Sequence, residues 1–357
     1  MRPIFDAHLD LAWNALSFDR DLSQSIEKIR RRESAMADHP SRGRNTVSLP
    51  ELRRGGVAVC VATLLARSGP DEKPPTDPRP TDLDYASPAL ASEAARRQLA
   101  YYERLEQDGH ARIIRTATQL VAHWRQPGNE PIGIILSMEG ADPIVDPAQL
   151  QQWWDLGIRA VGLAHYGRGQ YAHGTGVDGP LSDRGVALLR EMQRIGMILD
   201  VTHLSDTSMQ QAFEHFAGRV LASHHNCRAL VPGDRQLSDP QILELIRRDA
   251  VIGVALDAWM LHPDWKRGQT RPDALSLAAA VDHVDHVCQL AGNARHAGIG
   301  SDLDGGFGTE QTPGDLNTIA DLQKFDDVLV SRGYADAEVD AIFHGNWLRF
   351  FRSALPC

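Results

Sequence analysis

The segment MILDVTHLSDTSMQQAFEHFAGRVLASHH, residues 197–225, decides the fold. An apolar run (Met197–Thr202) leads to a histidine, and a helical pattern capped by Ser205 follows it. A second apolar run (Val220–Ser223) then leads to another histidine. Runs of Val, Ile and Leu without polar alternation are typical of parallel strands covered on both faces. The segment therefore predicts a β-α-β unit.

The same alternation extends through the chain, with six further strand patterns and three further helical ones. The other predicted strands are Pro3–His8, Val57–Leu65, Ile132–Met138, Ala160–Leu163, Val251–Leu256 and Ala297–Ser301, and the other helical patterns cover 182–195, 275–290 and 318–331. Eight strands with intervening helices predict an α/β fold, a (β/α)8 barrel of the TIM type. A doubly wound open sheet is the alternative, but the Gly-rich phosphate fingerprint that it often carries after its first strand is absent.

Length and composition favour one domain. The chain has 357 residues, 42% of them apolar and 24% charged, and barrels often reach this length as a single unit. We therefore expect one barrel domain over residues 1–357. Two stretches do not fit the repeat and are predicted as loop insertions, the charged segment 19–50 and the proline-rich segment 68–88. A long loop of the second kind is either a lid or simply mobile.

Charge and cysteine use indicate the surroundings of the protein. A net charge of −10 argues against nucleic acid and anionic membranes as partners. Cys60, Cys227, Cys288 and Cys357 form no C-x-x-C pair, which disfavours a structural zinc knot and suits reduced thiols. No secretory signal, transmembrane stretch or hydrophobic anchor tail is visible. We therefore expect a cytoplasmic protein.

Histidines and carboxylates follow five of the predicted strands. They are His8 and Asp10 at the first strand, Glu139 at the third, His203 at the fifth, His224 at the sixth and Asp302 at the eighth. Each residue alone is explained by an exposed strand end or a turn cap. In a (β/α)8 barrel, however, the carboxyl ends of the strands converge on the face that holds the active site. Their agreement in position predicts one shared site.

The donor types indicate metal binding. Imidazole and carboxylate without thiolate suit catalytic zinc or a similar divalent ion, and the two-residue spacing puts His8 and Asp10 on one face of their strand. Five ligands are many for one ion, but they divide between two ions about 3.5–4 Å apart if one carboxylate bridges. Glu139 is the best bridge, because it has two oxygens and no second ligand in its own strand.

On these residues the sequence resembles the membrane dipeptidase (renal dipeptidase) family of zinc peptidases in the amidohydrolase superfamily. The resemblance runs from HLD at residues 8–10 to NWLRF at 346–350, and so covers nearly the whole chain. Its most specific motifs are LSDRG (181–185), LDVTHLS (199–205), SH (223–224) and GSDLDG (300–305).

The resemblance implies a role for each site residue. His8 and Asp10 would bind one zinc ion, His203 and His224 the other, and Glu139 would bridge them. Asp302 would handle the proton of the attacking water and of the leaving amine. His165 would contact the substrate at the scissile carbonyl, and Arg235, eleven residues after His224, would bind its terminal carboxylate. A homodimer is also implied.

Two departures from the family pattern concern the surroundings of the site. Leu9 stands where the family commonly has Asn, but its side chain points away from its neighbours, so ligation should survive. The segments 255–260 and 166–169 differ from the mammalian enzymes, which leaves the preferred side chains and stereochemistry of the substrate open.

The sequence therefore predicts a zinc-dependent dipeptidase that hydrolyses the peptide bond of dipeptides by a metal-bridging hydroxide. One alternative is an amidohydrolase acting on a related non-dipeptide amide or lactone, such as an N-acyl amino acid. A barrel that keeps its metals for folding only is a second alternative, which the unligated Asp302 disfavours. A single-metal deaminase is a third, but those sites usually open with His-x-His rather than with His8-x-Asp10.

Overall fold

The computed structural model describes residues 1–69, 81–126 and 131–357. The strands are β1 Ile4–Leu9, β2 Val57–Leu65, β3 Ala111–Ile113, β4 Ile132–Glu139, β5 Ile158–Gly162, β6 Ile198–Asp200, β7 Val220–Leu221, β8 Ile252–Val254 and β9 Ala297–Ile299. The helices are α1 Leu11–Ser17, α2 Ile26–Glu33, α3 Leu49–Arg54, α4 Pro88–Gln107, α5 Ala117–Trp124, α6 Leu150–Asp155, α7 Asp183–Ile195, α8 Asp206–His215, α9 Asp239–Arg247, α10 Leu277–Ala291, α11 Phe325–Ser331, α12 Asp336–Asp340 and α13 Asn346–Ala354.

Eight of these strands form a nearly closed parallel barrel, which confirms the predicted (β/α)8 fold. Hydrogen bonds join them in the order β7-β6-β5-β4-β2-β1-β9-β8. A parallel bridge between Ala222 and Ile252 links the two outer strands, β7 and β8. The short strand β3 pairs with the first half of β4, beginning at Ala111 and Ile132, while β5 pairs with the second half.

The barrel is closed at the amino ends of its strands. Apolar side chains such as Phe5, Val59 and Ile135 form a buried cluster there with the carboxyl-terminal helix α13. The indole Nε1 of Trp347 donates to the Ile299 carbonyl at 3.0 Å, and Phe351 stacks on Phe5 with ring centroids 5.2 Å apart. The opposite, carboxyl end of the barrel is therefore the end available for a site.

Helices α7 and α8, which follow β5 and β6, begin as predicted. The Ser182 side chain accepts from the Gly185 amide at the start of α7, and Ser205 does the same for Ser208 at the start of α8. Some strands end earlier than predicted, because the backbone turns out of the sheet. His203 and Asp302 have φ of 67° and 58°, the left-handed region, and so lie in turns beyond β6 and β9.

The segment 19–50 carries α2 and the start of α3, and buried ion pairs fix it. The Arg20 guanidinium contacts both Glu33 oxygens, at 2.8 and 3.1 Å, and Arg42 contacts the same carboxylate at 2.8 Å. Of the predicted 68–88 loop, residues 70–80 lie outside the described part of the chain. Within the described ranges no helix is long and apolar enough to cross a membrane.

We expect Glu33→Gln to destabilise the protein strongly, because it leaves two arginines near an uncharged amide. Removing one partner of a buried pair costs roughly 3–5 kcal/mol of unfolding free energy. Asp19→Asn is the matched control, since Asp19 forms an ion pair with Arg32 on the surface of the same segment. The side chains of Asp19 and Arg32 are 82% and 52% exposed, whereas those of Glu33 and Arg20 are 3% and 1% exposed. Denaturant unfolding of the three proteins measures the effect. Equal losses for both variants would contradict a buried anchor.

Candidate active site

The carboxyl ends of the barrel strands bring six predicted residues together. His8 lies in β1, Asp10 directly follows it, Glu139 ends β4, His203 and His224 lie beyond β6 and β7, and Asp302 follows β9. The five predicted ligands are buried, and Asp302 keeps 14% of its side chain exposed. Six polar side chains enclosed at one end of a barrel need compensating partners, so their mutual contacts decide what the cluster can do.

Glu139 stands at the centre of the cluster. Its Oε2 atom lies 3.4 Å from His8 Nε2. Its other oxygen, Oε1, lies 3.2 Å from His203 Nε2 and 3.3 Å from His224 Nε2. The two oxygens of one carboxylate therefore face two different groups of donors, which is the arrangement that a bridging ligand requires.

The remaining carboxylates surround His8. The His8 Nε2 atom lies 3.7 Å from Asp10 Oδ2 and 3.7 Å from Asp302 Oδ1. Donor atoms lie within 4.8 Å of one another in three sets, namely His8 with Glu139 and His224, Glu139 with His165 and His203, and His8 with Asp10 and Asp302. The sequence predicted the pairs His8–Asp10 and His203–His224, but not that His224 and Asp302 would both lie beside His8.

Hydroxyl groups orient the two histidines from behind. Thr175 Oγ1 lies 3.0 Å from His203 Nδ1, and Ser223 Oγ lies 2.9 Å from His224 Nδ1. With each Nδ1 donating to its hydroxyl, each Nε2 presents a lone pair towards Glu139. These two Nε2 atoms are only 3.2 Å apart. Lone pairs that converge on a carboxylate oxygen in a buried site repel one another unless a cation lies between them.

The surroundings of the His8 ring also indicate a bound cation. Both of its ring nitrogens are buried and have no hydrogen-bond partner in the described part of the chain. Burial lowers its pKa, but the Glu139 and Asp10 carboxylates outweigh burial and raise the pKa well above the usual range. The position therefore demands positive charge. Nitrogen and oxygen donors without thiolate fit a divalent cation of the zinc type.

The other histidines are held neutral. Burial lowers the pKa of His203 and of His224 well below the usual range, and the Arg235 charge and neighbouring histidines act in the same direction. Neutral imidazole is the form that binds a metal ion. His165 is also kept neutral by burial, and its Nε2 lies 3.7 Å from Glu139 Oε1. Its side chain is 12% exposed, more than those of the other three histidines, so it faces the opening.

Two charged groups complete the site. Burial raises the pKa of Asp302 well above its usual range, although His8 acts against this. Arg235 is buried, and its Nη2 donates to the His224 carbonyl at 2.9 Å. Its Nη1 is buried without a hydrogen-bond partner among the residues described, and none of their carboxylates forms an ion pair with it. A buried guanidinium with an unused donor is prepared for an anionic ligand.

A cavity of about 360 Å³ opens above these residues. Asp10, Glu139, His165, His203, His224, Arg235 and Asp302 all line it. The segment 19–50 adds Asp38, His39 and Pro40 to the wall, and the loop after β8 adds Asp257 and Met260. This volume is at the small end of the range for ligand pockets, so the cavity suits a small molecule rather than a long chain.

The roles of the orienting hydroxyls were not predicted from the sequence. Ser223 stands directly before His224 in a motif that was recognised, so a hydroxyl beside a ligand was a readable signal. The Thr63 hydroxyl, which donates to Asp10 Oδ1, and Thr175 gave no such signal. Thr175 reaches His203 from a loop 28 positions away, and only the fold brings the two together.

The chain matches the model of the membrane dipeptidase family, Peptidase family M19, over residues 1–355. Among similar proteins, the dipeptidase aclJ of Aspergillus oryzae is 31% identical over 231 residues, which are 63% of this chain and 52% of that protein. Dipeptidase 3 of Rattus norvegicus is 27% identical over 235 residues, 62% of this chain and 45% of that protein. The chain spans about half the length of the curated relatives that it matches.

Experimental structures show the same fold. The dipeptidase AC, a metallopeptidase of family M19, superposes with a TM-score of 0.78 at 21% identity and covers 100% of this chain and 99% of its own. A metallopeptidase from Rhodobacter sphaeroides, liganded with a phosphinate mimic of the dipeptide L-Ala-D-Ala, has a TM-score of 0.76 at 21% identity with 99% of each chain covered. At this identity the superpositions establish the architecture.

Proposed function

The chain belongs to the membrane dipeptidase family, and on that premise we propose that it is a zinc-dependent dipeptidase with two divalent ions in the cluster around Glu139. One observation carries the proposal: the buried Arg235 guanidinium, with its unused Nη1 donor, lines the same cavity as four of the five predicted ligands. A free carboxylate at that place distinguishes a dipeptide from a longer peptide, because a longer chain would have to bury an amide there instead.

The proposed ligands divide as the contacts of Glu139 suggest. His8 and Asp10 would hold one ion, His203 and His224 the other, and Glu139 would contribute one oxygen to each. When bound, such ions act as Lewis acids that lower the pKa of a water and polarise a carbonyl oxygen. Three of these ligands are oriented by hydroxyl groups that contact the polar atom not directed at the ion. Thr63 holds Oδ1 of Asp10, Thr175 holds Nδ1 of His203 and Ser223 holds Nδ1 of His224.

Asp302 is the proposed general base and acid. Its carboxylate lies at the opening beside His8, where it accepts a proton from the attacking water and then donates that proton to the leaving amine. A carboxylate that is not needed as a ligand, placed at the opening of the cavity, is suited to take a proton and give it back. His165, kept neutral by burial, would donate a hydrogen bond to the substrate carbonyl oxygen as negative charge develops there.

Arg235 is the proposed clamp for the terminal carboxylate. Its hydrogen bond to the His224 carbonyl fixes the guanidinium close to a ligand histidine. A substrate carboxylate bound to Nη1 would therefore set the distance between the carboxyl terminus of the substrate and the ions that act on its peptide bond. The cytoplasmic location and the homodimer stay predictions.

We expect Asp302→Asn to abolish most turnover while the metal content stays unchanged. An amide can neither accept nor donate the proton, and general acid–base assistance is worth about 10²–10⁴-fold. Steady-state hydrolysis of a dipeptide, with elemental analysis of the same sample, measures both quantities. If the variant loses an ion together with its activity, Asp302 is a ligand and not the base.

We expect Arg235→Ala to lower kcat/KM for a dipeptide by about 30-fold or more, since losing one partner of a buried charge pair costs roughly 2–5 kcal/mol. Amidation of the dipeptide carboxylate should lower kcat/KM of the parent enzyme by a comparable factor and that of the variant by much less. The reason is that both changes delete the same interaction, between Arg235 and the substrate carboxylate. Arg235→Lys is the matched control, which keeps the charge but loses the planar fork. Equal cleavage of free and amidated dipeptides by the parent would rule out the clamp and favour a non-dipeptide amide or lactone.

A further inference from the structure

Asp304 stands two residues after the proposed base and ties its loop to the segment 19–50. Its buried carboxylate accepts three hydrogen bonds, from the Thr46 amide at 2.7 Å, the Thr46 hydroxyl at 2.8 Å and the Val47 amide at 3.0 Å. The chain separation between the partners is 258 and 257 positions. The contact therefore joins the end of the barrel to its beginning, directly beside the site.

The loop that carries Asp302 needs such support. Asp302 and Asp304 have φ of 58° and 65°, a left-handed conformation that residues with a Cβ atom adopt at an energetic cost. Within the loop, the Gly305 amide donates to the Asp302 carbonyl and the Gly306 amide to the Asp304 carbonyl, both at 2.9 Å. A backbone held in this way persists only where its surroundings fix it.

The position of the Asp302 carboxylate depends on a bare glycine. A Cβ atom on Gly305 would stand 2.0 Å from Asp302 Oδ1 and 2.7 Å from its Cγ, so any side chain there would displace the carboxylate. The φ of Gly305 lies outside the left-handed region, so the contact with Asp302 and not the backbone conformation requires glycine.

Asn14 connects Asp304 to a proposed metal ligand. Its Nδ2 donates to the Asp304 carbonyl at 2.9 Å and to the Asp10 carbonyl at 3.0 Å. Its Oδ1 accepts from Arg20 Nη1 at 2.6 Å, and Arg20 is in turn paired with Glu33. The buried network of the segment 19–50 thus reaches the backbone of both the ligand strand and the base loop.

We propose that Asp304 is a positioning residue that holds the Asp302 carboxylate over the metal site. This inference rests on the proposed function, in which Asp302 moves the proton. The three hydrogen bonds from residues 46 and 47 fix the Asp304 end of the loop. The Asn14 amide fixes the Asp304 carbonyl relative to that of Asp10. Gly305 leaves the space that the Asp302 carboxylate occupies, 3.7 Å from His8 Nε2.

The direct test is Asp304→Asn. The amide nitrogen of Asn is a donor, so in either orientation it would face one backbone donor that cannot turn away, that of Thr46 or that of Val47. We expect kcat for a dipeptide to fall by about 10–100-fold with KM and metal content unchanged, the usual size of effect for a supporting residue. Gly305→Ala should likewise lower kcat with KM and metal content unchanged, while the contacts with Thr46 stay intact. The double variant should lose little more kcat than either single variant, because both substitutions displace the same Asp302 carboxylate.

Two further measurements separate positioning from general destabilisation. Leu189→Ala, in the buried face of α7 and away from the cavity, serves as a control that loses stability but should keep kcat. Hydrogen exchange should show faster exchange of the Gly305 and Gly306 amides in Asp304→Asn, with the amides of residues 204 and 205 unchanged. Unchanged kcat with a protected loop, or loss of metal along with activity, would overturn the proposal. If the parent cleaves no dipeptide, the proposed function fails, while the exchange rates still decide whether Asp304 holds the loop.

Discussion

The repulsion among buried donors around Glu139 is the constraint on which the rest of the site depends. Two imidazole nitrogens lie 3.2 Å apart and face one carboxylate oxygen, and a third histidine faces the other. Such a cluster is stable only with positive charge inside it. The orienting hydroxyls, the neutral state of His203 and His224, and the rigid barrel that encloses them all serve to keep these lone pairs converged.

The barrel could be predicted because its strands are apolar on both faces. Val57–Leu65 was predicted with the bounds that β2 has, since nine consecutive residues there avoid charge. Helix α4 was not predicted, although Ser87 caps it and Pro88 begins it. The first half of its buried face uses Ala91, Ala94 and Ala95, small side chains that give a weak apolar stripe. Strand β3 has three residues and no pattern of its own, so only its pairing with β4 defines it.

The sequence predicted which residues cluster at the barrel mouth, but not the groups that support them. His8, Glu139 and His224 could be placed together because parallel strands of a barrel end on one face. The hydroxyl of Thr175 and the contact between Asp304 and Thr46 could not, because each depends on where a loop returns in space. The resemblance to the dipeptidase family named Arg235, whereas the structure adds the reason for its importance, a buried guanidinium with an unused donor.

The central claim is that the barrel mouth holds two ions, with one oxygen of Glu139 directed to each. The most direct measurement is equilibrium dialysis of the chelator-treated protein against zinc, followed by elemental analysis at saturation. The account predicts two ions per chain, because His8 with Asp10 and His203 with His224 form separate donor sets on the two sides of one carboxylate. A ceiling of one ion per chain would contradict it and would favour a single-metal hydrolase or deaminase.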